Sequence, residues 1–73
     1  MKADEARKIA AEVSANACIE LIKIAAHRGV FSLTVRTKNT MNIYVNDAVQ
    51  AVLKEKGYQV FMDREGQAVA IFW

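Results

Sequence analysis

From Ala3 to about His27 the chain runs without a proline or a glycine, and this stretch is apolar on two sides. Ala6, Ile9, Ala10, Val13, Ala17, Leu21 and Ile24 recur at steps of three and four, which sets them along one face of a helix. Opposite that main stripe, Ala11, Ala15, Cys18, Ile19, Ile22 and Ala26 form a second apolar strip. A helix apolar on both sides has to be covered twice, and only 73 residues are present to do it. The main stripe is expected to face the core. The second strip then has two possible covers: a second helix of the same chain, or another protein. In the latter case Ala15, Cys18, Ile19 and Ile22 would be an oligomer face, and the chain a homo-oligomer.

The ends of this helix are marked. Asp4 and Glu5 suit the positive end of the helix dipole, His27 and Arg28 suit the other end, and Gly29 is a natural stop. Residues 30–36 then alternate, with Phe31, Leu33 and Val35 on one side and Ser32, Thr34 and Arg36 on the other, as in a half-buried strand. Residues 37–40 are polar and read as a turn. Residues 41–45 fit either a short strand or an irregular lead-in to the next helix. Asn46 is a good N-cap with Asp47 behind it, and Val49, Val52 and Leu53 give helical spacing up to a stop at Gly57. Residues 58–63 and 68–73 read as two strands joined by a hairpin turn through Gly66. The expectation is a single α+β domain over residues 1–73. A long N-terminal helix and a short one pack on one face of a small, mainly antiparallel sheet of three or four strands.

With one cysteine the chain can form no internal disulfide, so a reducing compartment is expected. The first eight residues carry acids and no apolar run, unlike a signal peptide, and no stretch of about 18 apolar residues exists to span a membrane. Net charge is only +2, but Lys23, His27, Arg28, Arg36 and Lys38 fall in a stretch without a carboxylate, which predicts a weak basic patch near the first strand.

Catalytic machinery is sparse. The sole histidine, His27, reads as a cation at a helix end, and Cys18 reads as a small apolar filler. One histidine and one cysteine cannot supply the four or so ligands of a structural zinc site. Gly29, Gly57 and Gly66 stand far apart, so no phosphate-binding loop is present. Asp4, Glu5, Asp63 and Glu65 fall at helix-start or turn positions and read as solvated charge. The expectation is a chain without catalysis, metal or cofactor.

The final hairpin points instead to a binding surface. If Tyr58, Val60, Val69, Ile71 and Trp73 face the helices, then Phe61, Ala68, Ala70 and Phe72 face outward; the opposite assignment exposes Tyr58 and Trp73. Either way a sheet covered on one side shows aromatic rings on the other, and such rings are typical interface anchors. Phe61 and Phe72 are the expected anchors, with Arg36, Lys38 and Arg64 as steering charges. Aromatic side chains beside Arg36 and Lys38 also fit a single-strand nucleic-acid platform, but the strands lack interleaved basic residues and the small net charge gives a weak phosphate attraction.

The spacing Val49-x-x-Val52-Leu53-x-x-x-Gly57-Tyr58-x-Val60, followed by a short turn and Ala70-Ile71-Phe72-Trp73, resembles the C-terminal half of many small phage-encoded proteins. The likeness covers most of the chain after Ala25 and departs at Phe72, where the pattern has a small polar residue. Some such proteins are virion or accessory components, and others redirect a host enzyme. In length and layout the chain is similar to the small regulators, those of Xanthomonas phages included, that act on host RNA polymerase. The resemblance implies a non-catalytic regulator in the cytoplasm of a bacterial host, acting by occlusion, by sigma displacement or by antitermination. A self-assembling structural or accessory phage protein is the alternative, and a small nucleic-acid-binding domain the second.

Overall fold

The computed structural model describes residues 1–36 and 45–73. Five elements follow in order: α1 (Ala3–His27), β1 (Ser32–Arg36), α2 (Asp47–Glu55), β2 (Gln59–Met62) and β3 (Ala68–Phe72). The α+β layout, the long first helix and the closing hairpin agree with the sequence reading. Of the ambiguous residues 41–45, all but Val45 lie outside the described residues; Val45 is buried and lies outside any strand.

Both helices end in the same way. At the end of α1 the Gly29 N–H donates to the Ala26 carbonyl (2.9 Å) and the Val30 N–H to that of Ala25 (3.1 Å). At the end of α2, Gly57 N–H donates to Lys54 (3.0 Å) and Tyr58 N–H to Leu53 (3.2 Å). Each glycine sits at positive φ, and the crossed pair of bonds satisfies carbonyls that a helix end leaves open. At the start of α2 the Asn46 side chain accepts from the Val49 N–H at 3.0 Å, the expected N-cap.

Among the described residues the sheet has three strands in the order β1-β3-β2, all antiparallel. Leu33, Ile71 and Val60 form one row across it, and Val35, Val69 and Met62 the next. Alternation puts both rows on the side where α1 packs over β1 and α2 over β2. The core is built from Ala11, Ala15, Cys18 and Ile22 of α1, Val49 and Leu53 of α2, Val45, and Val35, Val60, Val69 and Ile71 of the sheet. Tyr58 and Trp73 pack against its margin.

This core corrects the helix assignment in two ways. Of the two covers open to the second strip, the one realised lies within the chain: Ala15, Cys18 and Ile22 are buried and Ile19 is partly buried against the same core, so the alternative of an oligomer face at these residues is corrected. Much of the stripe expected to face inward is instead exposed: Ile9, Val13 and Ile24 are 49%, 63% and 55% exposed, while Ala17 and Leu21 pack partly against the core. The reason is close approach. Where a second helix and a sheet must both come near one helix, the small side chains of Ala11, Ala15 and Cys18 admit them. The volume then comes from Leu53, Ile71, Val49 and Val69 on the opposing elements.

Candidate functional site

The sheet carries its helices on one face, and the second face is lined by three rows. These are Ser32–Phe72–Gln59, Thr34–Ala70–Phe61, and Arg36–Ala68 at the hairpin end. Of the two assignments open from sequence, the one realised turns Val60, Val69 and Ile71 inward and Phe61 and Phe72 outward. Phe61 is 58% exposed and Phe72 40%. Phe61 opposes Ala70 and Phe72 opposes Gln59, so the rings are diagonal neighbours across β2 and β3. Their centroids lie 5.8 Å apart at 74°, an edge-to-face pair. Such a pair contributes about 0.5–1.5 kcal/mol beyond its area, so it holds the two rings in one orientation. The Phe72 that departs from the phage-protein pattern is the residue that completes this pair.

Beside the rings, Thr34, Ala68 and Ala70 with Phe61, Met62 and Asp63 line a shallow concavity of about 190 Å³. Small alanines on the central strand leave this hollow between larger edge residues. The hairpin that bounds it is ordered by Asp63. Its carbonyl accepts from the Gly66 N–H (3.2 Å), and its carboxylate accepts from the Gln67 N–H (2.8 Å). Gly66 takes the positive φ that closes the turn. Arg36 stands exposed at the end of β1 on this same face, and Arg64 stands exposed in the turn. The fifth expected contact residue, Lys38, lies outside the described residues.

The residues weighed for chemistry are scattered. His27 is exposed in the last turn of α1, while Cys18 is buried and its thiol pKa is raised by desolvation. A raised pKa keeps the thiol protonated and unreactive. Among the described residues no group of three His, Cys, Asp or Glu side chains gathers as a metal would require. No helix among them is long and apolar enough to cross a membrane. Between the helices, Lys8, Glu12, Asn16, Val52, Glu55 and Lys56 line an open groove whose charges are of both signs.

Two exposed apolar features escaped the sequence reading. One is the outer stripe of α1. The signal that could have found it is side-chain size: the strip with the smaller residues is the one suited to close packing. The other is Phe31, which stands one residue ahead of β1 and is 72% exposed. Its position alternates with Leu33 and Val35, but it lies beyond the end of the strand.

No family model, no curated protein and no solved structure matches this chain.

Proposed function

We propose that this protein is a non-catalytic regulator that docks the uncovered face of its sheet on a larger protein. The observation that carries the reading is the Phe61–Phe72 pair, two rings held edge to face on the side of the sheet away from α1 and α2. An exposed aromatic pair beside a small hollow can anchor a partner's side chain, and a rim carrying Arg36 and Arg64 favours an acidic partner surface. Host RNA polymerase is the target proposed from the likeness to small phage regulators. Binding there would act in the bacterial cytoplasm by occlusion, by displacing sigma or by antitermination.

The test is recovery of partners from bacterial lysate on the tagged chain, with and without nuclease. The reading expects polymerase subunits that survive nuclease and are lost when Phe61, Phe72 and Arg64 are all replaced by alanine in a protein that keeps its circular dichroism. Polymerase bound equally well by that triple variant would move the contact elsewhere. Recovery that disappears with nuclease would favour nucleic acid, whose binding falls steeply with salt.

A further inference from the structure

We draw no further inference here: the strongest candidate, the exposed apolar turn at Val30 and Phe31 between α1 and β1, carries nothing because no feature among the described residues shows what covers it.

Discussion

Leu53 and Cys18 are both fully buried, but they hold the molecule in different ways. Leu53 is, with Ile71, among the largest of the fully buried side chains, and its truncation leaves a void in the core beside α2. Leu53→Ala is expected to lower stability by about 2–5 kcal/mol in urea denaturation. Cys18 fills a small space and carries a titratable group. Burial raises its pKa above a thiol's ordinary 9.0, so the folded state prefers the neutral form. The unfolded chain ionises first as pH climbs past 9.0, which draws the equilibrium toward unfolding. The contribution of Cys18 is therefore complete below that pH and lost above it. Denaturation measured on either side of pH 9 should show an alkaline loss that is smaller in Cys18→Ala. An equal loss in both proteins would assign it to other groups.

At the scale of elements, the two glycine-closed helix ends set the angles at which β1 and β2 leave. Gly57 has a φ of 94° and open space around the site of a Cβ. Gly57→Ala should therefore cost about 1–2 kcal/mol from backbone strain alone, with no steric clash. Thermal denaturation checks this, and a neutral result would mean that the chain relaxes to a different helix stop. These ends were legible in the sequence, as were the Asn46 cap and the Asp63–Gly66 turn, because each depends on local chemistry. Strand alternation was legible too, down to the set of hairpin residues that share a face. Which face turns inward was not, since that depends on where the helices lie. The same limit misplaced the core side of α1. Periodicity found both strips, but only the neighbours decide which one is buried. Judged by bulk, Ile9, Val13 and Ile24 looked like core; judged by closeness of approach, Ala11, Ala15 and Cys18 are.

The whole molecule is a two-layer body with an apolar feature on each outer side: the Phe61–Phe72 pair behind the sheet and the stripe on the back of α1. Truncating both rings should cost about 0.5–1.5 kcal/mol for the pair plus part of the burial term of two half-buried phenylalanines, about 1.5–3 kcal/mol each at full burial, so partner recovery is compared at a temperature where the variant remains folded. Loss of partner recovery by the Phe61, Phe72 and Arg64 triple variant would then report on docking and not on folding. The strand order has a further consequence during synthesis. The central strand, β3, is made after both of its neighbours, and among the described residues every ladder bond of β1 and β2 is formed with it. At roughly 5–20 residues per second, a nascent chain spends about 0.4–2.4 s with Val35 and Val60 already made and no strand yet between them. Its sheet therefore cannot assemble progressively behind the ribosome. Its ladders close only once residues 68–72 are made, when β3 can pair with β2 across the Asp63–Gly66 turn and with β1.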